Sequence, residues 1–353
     1  IDGPFDENQF DNQQFSIQYK DNEYNSISTD LDGYNSSNNL KDIIYIQLSN
    51  KIYLLGFGII SINPYNYKVI NEIIINNDNP IKVIYNPINN YLYFLYNDYL
   101  YIIDPITDSI LYDTALSNIS YDIEVNKNNG DVFITYTDNN KIDVVKKDNL
   151  DSLFTINNNS NINRCGKIIF NKSKLNINIL TDNDKVIVIN NENDIHDIIN
   201  VTNLSYDFIS YNENTGNVAV YGDDKLIELE DNLEYNITGY PIDSVFNPLN
   251  NELNVITDAN KLYSIADTNN IIEDNINTHG SIDVNLYDGN IYVSSTNENK
   301  IIAVDSKTKQ LINTEITNKP LTKILYNINS KSIWSIESND RKLIEFKTTL
   351  NSI

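Results

Sequence analysis

The sequence predicts an all-β fold, a single closed β-propeller made of four-stranded antiparallel blades. The first observation is a repeat with a period of about forty residues, a length typical of one propeller blade. The second is that each copy holds four short apolar runs rich in Ile, Val, Tyr and Phe. Asn, Asp, Gly and Pro separate these runs, as they separate the strands of a β-meander.

The clearest copy begins at Pro80. Its first three apolar runs span residues 80–86, 91–96 and 99–104, and a shorter fourth run ends at Leu111. An asparagine closes the first run, and an asparagine at the same point marks most of the other copies. These markers, which we call the repeat asparagines, are Asn86, Asn126, Asn171, Asn212, Asn247, Asn285 in a shortened seventh copy, and Asn327, with Gln47 in a weaker first copy.

A second marker is the hairpin turn between the second and third runs, which is rich in Asp and Asn. Side chains of these residues bond to nearby backbone amides and tolerate left-handed φ/ψ angles, so they suit such turns. The turns cover residues 137–141, 181–185, 222–225, 257–261 and 296–300. The two markers give eight copies, beginning near Leu40, Pro80, Ile119, Ile162, Leu204, Tyr240, His279 and Lys319. We therefore predict eight blades, with seven as the alternative if the first copy belongs to something else.

The last copy stops before a complete fourth strand, so the ring needs a strand from elsewhere. Residues 1–39 are polar and low in aliphatic side chains, and we expect an extended leader or linker there, with the propeller covering 40–353. The run 15–19 within this leader is a candidate for the missing strand. A strand supplied in this way would remove the free sheet edges that invite aggregation.

The apolar runs also indicate burial on both faces of the sheets. Runs such as 91–96 and 301–304 are almost continuously apolar, whereas the fourth runs are more mixed. Inner strands sandwiched between neighbouring blades have this composition. A β-sandwich would give no fixed period and a β-solenoid would have shorter rungs, so both alternatives fit less well.

The net charge is −24, from 49 acidic and 25 basic residues. Such a surface repels nucleic-acid phosphates and anionic lipids, and no apolar stretch approaches the length of a membrane-spanning helix. We expect neither a nucleic-acid partner nor membrane insertion. The acidic side chains do offer oxygen ligands to Ca²⁺. Asp138, Asp182, Asp223 and Asp258 are weak candidates for such a site, and no other cofactor is expected.

Few residues suit catalysis. His196 begins an outer strand and is expected to be a solvated edge residue, and the lone Cys165 is expected to be a small buried side chain. His279 lies in the loop between the sixth and seventh copies, which should open on the same face as the Asp-rich hairpins. No nucleophile elbow, phosphate-binding loop or zinc-protease motif occurs. These observations favour a protein that is not an enzyme.

The second copy resembles the YVTN-type β-propeller repeat. The likeness lies in Tyr85-Asn86-Pro87, Asn89-Asn90, Leu92-Tyr93 and Ile102-Ile103-Asp104, and it returns in Asn290-Ile291-Tyr292-Val293 and Ile301-Ile302-Ala303-Val304-Asp305. This family is associated with surface-layer and other exported proteins of archaea and bacteria. Its members are usually seven-bladed, and its repeats share no catalytic residues. Related propellers include lactonases and a streptogramin-inactivating lyase.

The resemblance implies an exported propeller whose repeats are not catalytic. Together with the strong negative charge, which is common on extracellular and virion surfaces, it predicts a non-catalytic, surface-displayed binding or assembly module of a cell-surface layer, adhesin or virion, with a protein or a glycan as partner. Self-assembly is a further expectation for such a module. The expected binding face comprises Asp138, Asn139, Asp182, Asp184, Asp223, Asp224, Asp258, His279 and Asn297. The alternative is a propeller hydrolase or lyase that uses His279, a carboxylate and a metal at the channel mouth. The repeat itself does not identify the partner.

Overall fold

The computed structural model describes residues 15–20 and 40–350, except 57, 67, 76–78, 139, 158–163, 202–203, 223–224, 267–270, 277–279, 317–319 and 338–341. These residues form 32 strands in eight four-stranded antiparallel sheets. Each sheet is one blade of a β-propeller, so the prediction of eight blades is confirmed. The described residues include no helix that is long and apolar enough to span a membrane.

Strand β1 spans Phe15–Lys20, and the first four blades follow it along the chain. The first blade comprises β2 (Asp42–Ile46), β3 (Lys51–Leu55), β4 (Gly58–Ile62) and β5 (Val69–Ile74). The second comprises β6 (Pro80–Asn86), β7 (Tyr91–Tyr96), β8 (Tyr99–Asp104) and β9 (Ser109–Ala115). The third comprises β10 (Ser120–Val125), β11 (Val132–Tyr136), β12 (Lys141–Lys146) and β13 (Asn149–Asn157). The fourth comprises β14 (Cys165–Asn171), β15 (Asn176–Thr181), β16 (Lys185–Ile189) and β17 (Ile195–Asn200).

The other blades repeat this order. The fifth blade comprises β18 (Leu204–Tyr211), β19 (Val218–Gly222), β20 (Lys225–Glu228) and β21 (Leu233–Asn236). The sixth comprises β22 (Pro241–Asn247), β23 (Glu252–Thr257), β24 (Lys261–Ala266) and β25 (Ile271–Asn275). The seventh comprises β26 (Ile282–Val284), β27 (Ile291–Ser294), β28 (Lys300–Val304) and β29 (Leu311–Ile316). The eighth contains β30 (Leu321–Asn327), β31 (Ser332–Glu337) and β32 (Lys342–Leu350).

Strand β1 occupies the outermost position of the eighth blade, whose order is β1-β32-β31-β30. It pairs antiparallel with β32, from Phe15 opposite Leu350 to Lys20 opposite Glu345. The first strand of each blade also neighbours the first strand of the next, and β30 neighbours β2. The two ends of the propeller therefore meet, and the ring is closed.

The hydrophobic core consists of eight clusters, one between each pair of neighbouring blades. The second and third strands are almost wholly buried, whereas outer strands such as β5 and β9 alternate between exposed and half-buried residues. The only tryptophan, Trp334, is 0% exposed in the cluster between the eighth and first blades. Burial of both sheet faces explains the continuous apolar runs in the sequence.

The repeat asparagines hold the turn that follows the first strand. Asn86 is fully buried, and its side-chain oxygen accepts a hydrogen bond from the Ile88 N–H at 3.0 Å. Its amide nitrogen donates to the Gly130 carbonyl of the next blade at 2.7 Å. The same bond recurs from Asn171 to Gly216 and from Asn247 to Gly289. The residue type is therefore explained by turn and inter-blade bonding.

One marker was misplaced. Asn86 pairs with Tyr91 at the start of the second strand, and the equivalent pair in the first blade is Ile46 with Lys51. The choice of Gln47 as the marker was therefore wrong by one residue. Ile46 is 1% exposed and fills the position with an apolar side chain instead of an amide.

The fourth residue after each marker has a positive φ angle in all eight blades. These residues are Asn50, Asn90, Gly130, Leu175, Gly216, Asn251, Gly289 and Lys331, with φ between 50° and 83°. Glycine occupies this position in the third, fifth and seventh blades. At Gly130 a Cβ atom would lie 2.9 Å from the Ile88 Cβ of the preceding blade, so close approach as well as backbone conformation requires glycine there.

Candidate functional site

The propeller has two faces, which differ in the connections they carry. The hairpin face carries the turns between second and third strands and the connections between blades. The turn face carries the turns between first and second strands and between third and fourth strands. Connecting segments on a rigid scaffold are the usual places for binding residues.

The predicted binding residues that the structure describes lie in hairpin-face turns of four blades. They are Asp138 in the third blade, Asp182 and Asp184 in the fourth, Asp258 in the sixth and Asn297 in the seventh. All are exposed except Asp182, which is half-buried. Asn139, Asp223, Asp224 and His279 lie outside the described residues.

Two of these aspartates hold the backbone where the first strand of their own blade begins. The Asp182 carboxylate accepts a hydrogen bond from the Arg164 N–H at 3.1 Å, and the Asp258 carboxylate accepts one from the Tyr240 N–H at 2.7 Å. A charge-assisted bond of this kind is stronger than a neutral one. Asp182 and Asp258 therefore have a structural role, which single-sequence reasoning did not assign to them.

The remaining candidates from the sequence are placed as expected. Cys165 is buried at 0% exposure, and burial together with the nearby Asp182 raises the pKa of its thiol to about 12. Such a thiol is inert at neutral pH. His196 is exposed on outer strand β17. Both predictions are confirmed.

No group of three or more His, Cys, Asp and Glu side chains is placed to hold a metal ion within the described part of the chain. Asp223, the third of the four weak calcium candidates, is outside that part. Calcium binding at the hairpin face therefore stays a prediction.

The first strands surround a central channel, and several of them carry charged side chains into it. The clearest sign is Lys323 of the eighth blade, whose Nζ lies 3.8 Å from Asp243 Oδ2 of the sixth blade. Side chains from blades that are not neighbours can meet in this way only across the channel. The charged residues of this channel cluster are Asp42, Lys82, Asp122, Glu124, Asp243, Asp283 and Lys323.

Four aspartates of the channel cluster make the same pair of bonds. Asp42 accepts hydrogen bonds from the N–H of Ile43 in its own strand and of Val83 in the next blade, both at 3.0 Å. The first strand of a blade is a sheet edge with unpaired N–H groups, which need partners when buried. Asp122, Asp243 and Asp283 bond in the same way to Ile168, Ile282 and Tyr326, at 3.2, 3.3 and 2.7 Å.

The two lysines neutralise part of this acidic channel. Lys82 Nζ lies 3.0 Å from Asp122 Oδ1 and 3.8 Å from Glu124 Oε2 of the third blade. About a third of the Lys82 side chain and 39% of the Lys323 side chain are accessible to water. The channel is therefore open to solvent at these residues.

The electrostatics of the channel cluster follow from burial and from the lysines. Burial raises the pKa of Asp283 to about 6, against the opposing effects of two backbone N–H groups and Lys323. Burial likewise raises the pKa of Asp42. Burial lowers the pKa of Lys82, but the carboxylates of Asp122 and Glu124 outweigh it and raise the pKa above its ordinary value. The Asp243 carboxylate raises the pKa of Lys323. Both lysines are charged at neutral pH.

Sequence reasoning missed the channel cluster, although a signal was present. Lys82, Asp122, Asp243 and Lys323 each stand four residues before a repeat asparagine, inside an otherwise apolar run. A charged residue at a fixed place in an apolar run is informative, because burying a charge is costly without a partner. The chemistry of the cluster is primarily structural, since its carboxylates join neighbouring blades.

Two solved structures with the same fold are similar over most of this chain. One is a catalytically inactive variant of virginiamycin B lyase from Staphylococcus aureus with quinupristin, at 14% identity and a TM-score of 0.60, covering 94% of this chain and 99% of the other. The second is the dihydro-heme d1 dehydrogenase NirN in complex with DHE, at 9% identity and a TM-score of 0.66, covering 90% of this chain and 74% of the other. Identities this low show the β-propeller fold and nothing finer.

No protein-family model matches the chain, and no curated protein matches its sequence.

Proposed function

We propose that this protein is a non-catalytic β-propeller of the YVTN type that acts as a binding module at a cell surface or virion. The observation that carries the proposal is the set of exposed carboxylates on the hairpin face, at Asp138, Asp184 and Asp258. They stand in short turns at the ends of buried strands, so a rigid ring presents them to solvent.

A basic protein segment is the partner that this face suits best. The chain carries a net charge of −24, and attraction between unlike charges accelerates encounter with a cationic partner. A glycan bound through Ca²⁺ is the variant of the proposal in which Asp138, Asp182, Asp223 and Asp258 hold the metal. The channel carboxylates are less suited to binding, because backbone N–H groups already occupy them.

The test is capture of partners from envelope extracts by the immobilised full chain, with and without EDTA. We expect the wild-type chain to capture a basic protein. This capture should be lost when Asp138 and Asp184 are both replaced by Asn. The matched control is Asp113→Asn with Asp197→Asn, which removes the same charge from exposed positions on outer strands. Equal capture by both double variants would contradict a binding role for the hairpin face. Sensitivity to EDTA would identify the calcium-bridged variant.

The alternative is a metal-assisted lyase or hydrolase at the channel mouth, with His279 as its acid or base. The likeness to virginiamycin B lyase over 94% of this chain is the observation that favours it. The chain would be incubated with quinupristin and Mg²⁺, and the products followed by mass spectrometry. Turnover that falls by orders of magnitude in His279→Ala would support the enzyme and contradict the binding module.

A further inference from the structure

The turn face carries a set of exposed apolar side chains that the core does not use. They lie one or two residues after the marker position in the turn between the first and second strands. Their exposed fractions run from 43% to 55%. We call them the apolar arc: Leu48, Ile88, Leu249, Leu286, Tyr287 and Ile328.

The arc is continuous around part of the ring. Its residues come from the sixth, seventh, eighth, first and second blades, which follow one another in the closed propeller. Contacts join adjacent turns within it, namely Leu249 with Gly289, Tyr287 with Lys331, and Asn329 with Tyr45. The same turns of the third, fourth and fifth blades carry Lys127, Asn128, Lys172, Ser173, Glu213 and Asn214 at these positions. At these two turn positions the apolar character is therefore confined to one sector, although the fourth blade carries the exposed Leu175 at the end of its turn.

The charge of this sector differs from that of the protein as a whole. Its five turns, residues 46–50, 86–90, 247–251, 285–289 and 327–331, contain one lysine and one aspartate, so they carry no net charge. The chain as a whole carries a net charge of −24. An apolar surface without net charge on so acidic a protein suits a segment with aromatic side chains, and it does not repel acidic residues beside them as the rest of the surface does.

Such a segment lies immediately upstream of β1. Strand β32 follows a hairpin-face connection and runs toward the turn face, and Phe15 pairs with its last residue, Leu350. The chain before Phe15 therefore joins β1 at the turn face of the eighth blade, next to the arc. Residues 1–14 include Phe5-Asp6-Glu7 and Phe10-Asp11. Ten extended residues reach about 33–36 Å, so Phe5 and Phe10 can both reach turns near the eighth blade.

We propose that residues 1–14 dock on the apolar arc, with Phe5 and Phe10 as the apolar anchors. A tether of this length raises the effective concentration of the segment at the arc to the millimolar range. A second copy of the chain is a poorer occupant, because two molecules of net charge −24 repel each other on approach. The docked segment would cover the turn face and leave the hairpin face open for the proposed binding function.

The test uses the full chain carrying Asn8→Cys and Asn329→Cys. Asn8 lies between the two phenylalanines, and Asn329 is an exposed residue within the sector of the arc. The native Cys165 is buried at 0% exposure and does not compete. Disulfide formation under mild oxidation at low protein concentration is followed by peptide mass spectrometry. Three proteins that carry this cysteine pair are compared. The first keeps Phe5 and Phe10, the second carries Phe5→Ser and Phe10→Ser, and the third is the matched control with Gln9→Ser and Gln13→Ser.

We expect the serine replacements of Phe5 and Phe10 to slow the intramolecular disulfide about tenfold, a change that a merely flexible tether would not show. The glutamine control should react at the original rate. Equal rates in all three proteins would overturn the proposal. Predominant intermolecular disulfides, together with a mass by light scattering that doubles with concentration, would also overturn it in favour of a second copy.

Discussion

The Asp283 carboxylate of the seventh blade accepts a hydrogen bond from the Tyr326 backbone N–H of the eighth blade at 2.7 Å. The other carboxylate oxygen accepts the Val284 N–H of its own strand at 2.8 Å. The bond across the boundary satisfies a free edge of the last blade, next to the point where the ring closes. The bond requires a buried carboxyl group, and burial raises the pKa of Asp283 to about 6.

This raised pKa predicts how stability depends on pH. The folded-state pKa of Asp283 lies above the unfolded value of 3.8, so the folded protein binds the proton more readily. The group therefore contributes a penalty above about pH 6 that is progressively relieved as the pH falls from 6 towards 4. Two pKa units correspond to about 3 kcal/mol, and access of water to the channel should reduce the penalty to between about 1 and 3 kcal/mol.

The measurement is the free energy of unfolding in urea near pH 5 and near pH 7.5. Because pH 5 lies only about one pH unit below the folded-state pKa, at most about 1.4 kcal/mol of the penalty is relieved between pH 7.5 and pH 5. In Asp283→Asn the gain in the free energy of unfolding on acidification should be smaller than in the wild type by up to this amount. Asp113→Asn, which alters an exposed carboxylate on β9, serves as the control. An unchanged pH dependence in Asp283→Asn would show that Asp283 is not responsible.

The repeat asparagines predict a second measurable effect. Asn86 is fully buried and bonds both to its own turn and to the Gly130 carbonyl of the next blade. Replacing it by Ala leaves the buried Gly130 carbonyl without this partner, and a buried polar group without a partner costs about 1–3 kcal/mol. Asn86→Asp should cost more, since its carboxylate would face a carbonyl oxygen at the distance of a hydrogen bond.

Thermal and urea unfolding of Asn86→Ala, Asn86→Asp and Asn128→Ala would test this. Asn128 is exposed in the equivalent turn of the third blade, so its replacement should change stability by less than about 0.5 kcal/mol. If Asn86→Asp were as stable as the wild type, the inter-blade bond would not be important for stability.

The periodic features of this fold could be predicted from the sequence, and the pairwise ones could not. Asn86 and its equivalents recur because seven of the eight turns use the same amide, so a single chain shows the pattern seven times. Ile46 escaped detection because an apolar residue replaces the amide, and only the pairing with Lys51 identifies the position. The repeated asparagine is thus what makes the turn recognisable in the sequence, and a turn without it cannot be recognised in this way.

Contacts between blades vary in chemistry while their geometry stays the same. The fifth residue after a marker position, at or just before the start of the second strand, meets a positive-φ residue in the next blade's turn between third and fourth strands. This pair is Lys51 with Asp108, Asp131 with Asn193, and Glu252 with Lys309. The sign of the charge reverses from the first pair to the last, so no residue type marks the position. Such a relationship needs the structure.

The last of these pairs predicts a charge-swap experiment. Glu252 and Lys309 form an ion pair whose side chains are only 13% and 7% exposed. Lys309→Glu should destabilise the protein, because it leaves two carboxylates facing each other in a buried setting. Adding Glu252→Lys restores opposite charges, so the double variant should recover most of the loss.

We expect a coupling energy of about 1–3 kcal/mol between Glu252→Lys and Lys309→Glu. It is measured by urea unfolding of the wild type, both single variants and the double variant. Lys225 with Glu234, an ion pair between the third and fourth strands of the fifth blade with side chains 37% and 53% exposed, provides the comparison. Its coupling should be below about 1 kcal/mol, as for other surface pairs. Additive effects at Glu252 and Lys309 would mean that the pair contributes no specific contact.

Ring closure gives the last prediction. Strand β1 is the outer strand of the eighth blade, and its backbone pairs with β32 over six residues. In an antiparallel pair only alternate residues direct their N–H groups to the partner, so replacing Ser16 and Ile17 together by Pro removes one such bond whichever residue makes it. The double replacement by Ala keeps both N–H groups and is the matched control.

We expect the proline variant to lower the melting temperature and to aggregate at concentrations where the alanine variant stays monodisperse, because an unpaired β32 offers a free edge to other chains. Differential scanning calorimetry and light scattering measure the two effects. A proline variant as stable and monodisperse as the alanine variant would mean that the three strands β30 to β32 close the ring without β1.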